Sequence, residues 1–512
     1  MVLYDVILKG AGEYPDNPAI LYRDTVITYG QLAQMVRCFA AALGAHGLGK
    51  GDRVAILLPN VPPFTVAYYG AAAIGAIAVP ANPLLKPAEL EYMWRDADVK
   101  LVVTIPQLLE GAQEAAQQVG ISHIVCVGER DVVPEGVPTF AEFLGLGARS
   151  PMPDTRPDKH DPAVFIYTSG TTGRPKGAVL SHNNLLANCR QIQGALKYSA
   201  ADNLLCVLPL FHAFAGTVCQ HAALFRGAKF TLLEQFHPAR VIETIEQRGI
   251  TIFPGVPAMF AALLQFAADR PEAFRNVRLC VSGGAPMPVA IMEQFEKTFH
   301  TIIIEGDGPT ECSPVTSVNP PDGVRKPGTI GLPLPGVEMK IFDDNDRELP
   351  VGEIGEIVVR GENVMLGYHN QPEATAEAMR NGWYHTGDLG KVDEDGYFTI
   401  VDRKKDMLIV GGLNVYPREV EEVLYTHPAV ADAAVVGAHD ALRGDQVVAV
   451  VVLKPGASAT AQELREHCRK YLANYKVPRR VEFRQELPRS STGKILKRLL
   501  RKEMELEAGS GF

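Results

Sequence analysis

Residues 167–177 read Tyr167-Thr168-Ser169-Gly170-Thr171-Thr172-Gly173-Arg174-Pro175-Lys176-Gly177 and follow an apolar run. Four hydroxyl side chains beyond the tyrosine, three glycines and a lysine share this stretch. Amides of a glycine-rich turn converge on phosphate oxygens. The hydroxyls add donors and the lysine adds charge. The Gly-Lys-Ser/Thr ending of a kinase-type P-loop is missing, which disfavours that class. Farther along stand Thr310-Glu311 after Gly308-Pro309, an aspartate after Gly387, the run Asp402-Arg403-Lys404-Lys405-Asp406, and Lys494 behind Ser490-Ser491-Thr492-Gly493. Taken singly, these are an acidic loop residue, a turn-forming aspartate, a solvated charged run and a surface lysine.

The elements that must hold these groups are legible in outline. Short β-rich runs at 53–58, 101–105, 123–127, 164–167, 204–208, 250–253, 279–282 and 301–304 alternate with helical patterns such as 238–248 and 288–299. Such alternation predicts parallel sheet and an α/β fold, with ligand sites where strands end. After Gly331 the texture changes to antiparallel strands at 337–342 and 355–360, split by a turn-rich segment, with another strand at 397–401. Beyond the charged run, 418–424 reads as helix, and 430–436 and 447–453 as strands. Thr460 with Glu463 forms a capping box, before a helix whose one face carries Leu464, Cys468, Tyr471, Leu472 and Tyr475. The expected architecture is α/β. A large multi-subdomain N-terminal domain, residues 1–403, has helix-flanked parallel sheets plus a small β-barrel-like part. A small α+β C-terminal domain follows at 404–512.

The bulk numbers agree with an ordinary globular enzyme. The chain has 512 residues, 46% hydrophobic and 21% charged, too long for one core. Its net charge of −9 argues against a nucleic-acid binder. Eight cysteines without a C-x-x-C pair fit a reducing cytoplasm and show neither zinc ribbon nor redox motif. Neither a signal peptide nor a peroxisomal tripeptide is read at the ends. The uncharged stretch after Arg53 is long enough to raise a membrane span, but its prolines and Ala/Gly-rich middle favour a buried helix followed by a strand. No integral membrane association is expected.

The 167–177 string resembles the signature of the adenylate-forming superfamily, which includes acyl-CoA synthetases, peptide-synthetase adenylation domains and firefly luciferase. Further segments match in the family's order: Pro209-Leu210-Phe211-His212, Gly283-Gly284-Ala285-Pro286, Gly308-Pro309-Thr310-Glu311, Tyr384-His385-Thr386-Gly387-Asp388, the 402–406 run, Gly411-Gly412-Leu413-Asn414-Val415-Tyr416-Pro417, and Pro488-Arg489-Ser490-Ser491-Thr492-Gly493-Lys494. The resemblance covers essentially the whole chain. It implies an ATP-dependent acid–thiol ligase that makes an acyl-adenylate and passes the acyl group to coenzyme A.

The resemblance also distributes roles. Attack of a carboxylate on the ATP α-phosphate brings two anions together, so charge must be neutralised and the attack held in line. Lys494 is implied for that, with Glu311 and Thr168 as the other catalytic positions. Glu311 is implied to bind Mg2+, with Thr168 nearby. Thr168, Ser169, Gly170, Thr171, Thr172, Gly173 and Lys176 are implied to grip the ATP phosphates, and Thr310 to donate to phosphate. Gly283, Gly284, Ala285, Asp307 and Gly308 line the adenine side; Asp388 holds the ribose hydroxyls, with Arg403 on ribose or phosphate. Phe211, His212 and Gly284 are implied at the acyl pocket, His212 in binding rather than acid–base work. The small domain is implied to rotate about Lys405, bringing Gly411-Gly412 to the site for the pantetheine arm. Lys476, Arg479 and Arg480 are candidates for the coenzyme A phosphates. One departure stands out: the family's adenine-stacking aromatic is here Asp307, between Gly306 and Gly308. Asp307 is expected to accept a hydrogen bond from the adenine amino group instead.

Three rivals remain. An amino-acid adenylating enzyme would place a carboxylate near Phe211-His212 to pair the ammonium, and Phe211-His212-Ala213-Phe214-Ala215 supplies none. A luciferase-like oxygenase shares the fold, and a scaffold that has lost catalysis would not need all of Glu311, Asp388, Arg403 and Lys494. The apolar segment 211–227 favours a medium- or long-chain fatty acid. An aryl acid, or a carrier protein as acceptor, is the alternative. Oligomeric state is open, a homodimer among the options.

Overall fold

The computed structural model describes all residues except 169–173, 411, 441–443, 491–492 and 510–512. Among the described residues the strands form four sheets. The first runs His123–Cys126, Val99–Thr104, Arg53–Ile56, Ile77–Pro80, Pro162–Thr168, Lys176–Ser181 and Gly367–Tyr368. The second is built on the parallel strands Asn203–Cys206, Lys229–Leu232, Ile252–Gly255, Leu279–Ser282 and Ile303–Asp307. The βα alternation across 53–304 thus divides into two sheets. The hairpin Pro18–Tyr22 and Thr25–Thr28 adds to the second one, pairing Ile20 with Phe230. No local pattern announces that pairing, because its partner lies some two hundred residues away.

The uncharged stretch after Arg53 folds as helix Pro62–Ala73 and strand Ile77–Pro80, both packed inside the protein. Tyr69, Phe64 and Phe39 lie there without exposed surface. No helix among the described residues is long and apolar enough to cross a membrane. The second sheet has its own satellite core, where Phe253, Phe260, Phe274, Phe295 and Phe299 meet edge to face or tilted at 4.6–6.1 Å.

The third sheet is antiparallel and curls beside the first two: Val337–Phe342, Gly355–Gly361, Trp383–Val392, Met379–Arg380 and Phe398–Arg403. It ends at Arg403, and the next strand, Leu408–Val410, already belongs to the fourth sheet with Leu413–Val415, Gly444–Leu453, Val430–Asp440 and Arg480–Phe483. Helices Pro417–Tyr425, Ala461–Tyr471 and Lys497–Gly509 accompany that sheet. Thr460 accepts from the Glu463 amide at 3.2 Å, as the capping box requires.

Some details differ from the sequence expectations. Strand Ile303–Asp307 starts two residues later than expected and runs on to the Asp307 position. The stripe on Ala461–Tyr471 is narrower: Leu464 and Cys468 are buried, but Tyr471 is 66% exposed. Helix geometry ends at Tyr471; Leu472, one residue beyond, still packs with Leu464 and Cys468 in the same core, while Tyr475 is exposed. The charged run is only half solvated, since Asp402 is buried while Lys404 and Lys405 are exposed.

Candidate active site

The glycine-rich loop is the tip of a hairpin. Pro162–Thr168 and Lys176–Ser181 are antiparallel, with Thr168 opposite Lys176 at the mouth of the loop. Ser169, Gly170, Thr171, Thr172 and Gly173 lie outside the described residues. The Thr168 hydroxyl faces Glu311 Oε1 at 3.5 Å, and the Tyr368 hydroxyl donates to the same oxygen at 2.8 Å. Lys176 Nζ lies 5.2 Å from the centre of the Tyr368 ring. Glu311 is positioned by the short turn Thr310–Cys312 that follows strand Ile303–Asp307. The turn doubles back tightly: a Cβ at Gly308 would sit 2.2 Å from the Pro314 carbonyl oxygen, so a side chain there is impossible without rebuilding it.

A second group gathers at the edge of the curled sheet. Asp388 is opposite Arg403 in the ladder, and Arg403 Nε lies 2.8 Å from Asp388 Oδ1. The turn before Asp388 is held by Glu356, whose Oε1 accepts the Gly387 amide at 3.1 Å. The Lys404 amide donates to the Gly387 carbonyl at 2.9 Å. Asp307 faces the same space. Burial pushes its carboxyl up to about 6, reinforced by Asp388, while Arg403 and Lys494 pull it down.

Lys494 reaches this space from the C-terminal segment. Its loop is closed by the Ser490 amide on the Lys494 carbonyl at 2.8 Å and by Arg489, which donates to the Gly493 carbonyl at 2.5 Å and pairs with Asp432. Gly493, at φ 80°, packs against the large domain, where a Cβ would meet Val256 at 3.1 Å. The neighbouring Arg403 cation, and then burial, depress the Lys494 ammonium to about 8.

The apolar side of the same space is lined by Val256, Phe214 and the strand-end glycines. A Cβ at Gly283 would lie 3.3 Å from the Phe214 ring, and Gly284 adopts φ 77°. Phe211 and His212 are half-buried, as is Ala285. His212 Nδ1 accepts the Phe214 amide at 3.3 Å. That bond assigns the neutral ring's proton to Nε2. Burial, and then Lys494, push the imidazole down to about 4, so it is uncharged at neutral pH.

The structure therefore brings Thr168, Lys176, Glu311 and Thr310 to one end, Asp307, Gly308, Asp388, Arg403 and Lys494 to the middle, and His212, Gly283 and Gly284 to the other; Phe211 and Ala285 are half-buried neighbours of these in the chain. Lys405 is exposed but borders the same group, close enough to Arg403, Asp388 and Lys494 to interact with their charges. The other coenzyme A candidates are not brought there: Gly412 is exposed, and Gly411 lies outside the described residues. Lys476 is paired with Glu419 at 2.7 Å and Arg480 with Glu482, while Arg479 points to solvent. Sequence reasoning missed Tyr368, which holds Glu311 from the edge of the first sheet, and Glu356, which holds Gly387 from the neighbouring strand of the curled sheet. Neither lies in a motif that advertises chemistry.

The description "AMP-binding enzyme" matches residues 8–369, and "AMP-binding enzyme C-terminal domain" matches residues 419–494. The chain belongs to the AMP-binding enzyme family. Among members of this family, the long-chain-fatty-acid–CoA ligase of Bacillus subtilis is 38% identical over 98% of this chain and 94% of its own length. The feruloyl-CoA synthase of an Amycolatopsis species is 37% identical over 94% of this chain and 95% of its own. Among solved structures, ATP-bound MatB from Rhodopseudomonas palustris superposes with a TM-score of 0.90 at 33% identity, covering 98% of this chain and 99% of that one. The AMP-binding fold accounts for the two parallel-sheet units, the curled sheet and the small final domain.

Proposed function

We propose that this AMP-binding enzyme is an AMP-forming acyl-CoA synthetase acting on a long-chain fatty acid. The observation that carries the proposal is the convergence of Lys494, Arg403 and Asp388 with neutral His212 and the apolar wall of Phe214 and Val256. A carboxylate headgroup fits between the cations, and its chain extends along the apolar side. In the first step a carboxylate oxygen bonds to the α-phosphorus of ATP, the bond to the bridging oxygen breaks, and pyrophosphate leaves. Lys494 and Arg403 offset the charge that two anions bring together. His212 donates from Nε2 to the carboxylate without adding charge. Asp388 accepts from the ribose hydroxyls, and Asp307 from the adenine amino group.

Glu311 suits Mg2+: its side-chain hydrogen bonds among the described residues fall on Oε1, which leaves Oε2 for a hard cation. Such an ion needs only one or two protein carboxylates when phosphate oxygens and water complete its shell. When bound it would screen the triphosphate charge. In the second step the coenzyme A sulfur, as thiolate, bonds to the acyl carbonyl carbon and AMP leaves. We assign Lys405 to the hinge and Gly411-Gly412 to the path of the thiol, with the domain boundary at 403/404. A cytoplasmic setting suits eight buried, unpaired cysteines.

The fatty-acid choice rests on the Bacillus relative, and the feruloyl-CoA synthase supports an aryl acid as second reading. Mass spectrometry of products from ATP, Mg2+ and a panel of fatty and aryl acids, with and without coenzyme A, separates them. Fatty acyl-CoA with AMP and pyrophosphate is the expected result. Aryl-CoA alone would move the substrate. Acyl-adenylate that ignores coenzyme A would point to a carrier-protein acceptor.

A further inference from the structure

Glu305 stands apart from the groups used so far. It ends the inner part of strand Ile303–Asp307, is 2% exposed, and spends Oε1 on the Met287 amide at 2.9 Å. Met287 closes the segment that begins at Gly283-Gly284. Oε2 is buried and has no hydrogen-bond partner among the described residues. The cation beside this carboxylate comes from the small domain: Arg418 Nη2 lies 4.0 Å from Oε1. Arg418 sits on helix Pro417–Tyr425, beyond the 404–407 link, and is itself buried. Its Nη1 donates to the Ile400 carbonyl at 2.8 Å, and its amide donates to Asp402 Oδ2 at 2.9 Å. One residue of the small domain thus touches two strands of the large domain in the same orientation that presents Lys494.

We propose that Glu305 and Arg418 are a positioning pair, a latch that holds the small domain in the adenylating orientation and ties that orientation to the 283–287 segment. Neither touches a reacting atom; both act through Lys494 and through Met287. The physical basis is the cost of an unpaired buried charge. Arg418 also lies 3.8 Å from Glu422 on its own helix. Withdrawing it leaves the Glu305 carboxyl with one amide for company, so the group must either stay charged without a cation or take up a proton, and departure of the small domain is resisted by that cost until substrate contacts compensate. Arg418 is the strongest influence holding this carboxyl down against burial, which pushes it up to about 7. The latch rests on the ligase proposal for its catalytic consequence, but its structural consequence is measurable alone.

Two experiments test it. Adenylation is followed by pyrophosphate exchange, and thioester formation by supplying acyl-adenylate and coenzyme A. Arg418→Met and Glu305→Gln each lower adenylation about tenfold, leave thioester formation within about twofold, and are no worse combined than singly. Arg418→Lys recovers part of the loss. Equal damage to both steps, or fully additive losses, overturns the latch. Second, spin labels at Val351→Cys and Tyr471→Cys report the interdomain distance, since all native cysteines are buried. Full-length protein gives one dominant distance and the Arg418→Met variant adds a second population. An unchanged distribution overturns the latch. If the unaltered enzyme forms no acyl-adenylate from any acid, the ligase proposal falls, and the distance measurement still decides the latch.

Discussion

Lys494 is a cation that its own site weakens. Held at about 8 by Arg403 and burial, its charge is largely kept at neutrality and is lost as the pH rises through 8. An ordinary lysine would stay charged to about 10.4. The free enzyme's kcat/KM for adenylation is therefore expected to fall on an alkaline limb near pH 8, and Lys494→Arg should move that limb upward. Lys494→Ala should slow adenylation by about 10²–10³-fold and largely spare thioester formation from supplied acyl-adenylate. A rate that ignores pH between 7 and 9 would rule out this cation as the titrating group. His212, by contrast, is held neutral, so no limb between pH 5 and 7 is expected from it. Asp307→Ala and Asp307→Asn should each raise the KM for ATP. An unchanged KM would end the proposed contact to the adenine amino group.

At the scale of elements, a side chain outside any motif holds the metal-side carboxylate. Tyr368 comes from a two-residue strand on the edge of the first sheet and gives Glu311 its 2.8 Å hydrogen bond. Hydrogen bonds to charged groups contribute about 1.5–3 kcal/mol. Tyr368→Phe should therefore raise the Mg2+ concentration for half-maximal adenylation by about tenfold, with the fold kept by circular dichroism. Stability lies elsewhere. Phe295 is fully buried in the satellite core of the second sheet and belongs to no motif. Phe295→Ala should cost about 3–5 kcal/mol in urea unfolding. A loss below 1 kcal/mol would mean that the aromatic cluster is not tightly packed.

At the scale of the molecule, the link at 404–407 joins a curled sheet to a separate one. Lys405 is exposed there, and proline at that position fixes φ and removes an amide. Lys405→Pro should slow thioester formation and spare adenylation, the reverse of Lys494→Ala. Equal losses in both half-reactions would contradict rotation about this point.

The sequence by itself determined the alternation of strand and helix from 53 to 304, the antiparallel pair 337–342 and 355–360, the capped helix after Thr460, and the motifs that carry charge. Those follow from local periodicity and from residue types, which need no partner to be read. The tertiary structure alone decided that the alternating strands form two sheets, and that Pro18–Thr28 pairs with Lys229–Leu232. It also decided that Tyr368, Glu356 and Glu305 support the motif residues, and that Lys494 rather than Gly412 occupies the site. Each of these depends on contacts between residues far apart in the chain. Such contacts are fixed by which surfaces bury each other, and no local pattern encodes that choice.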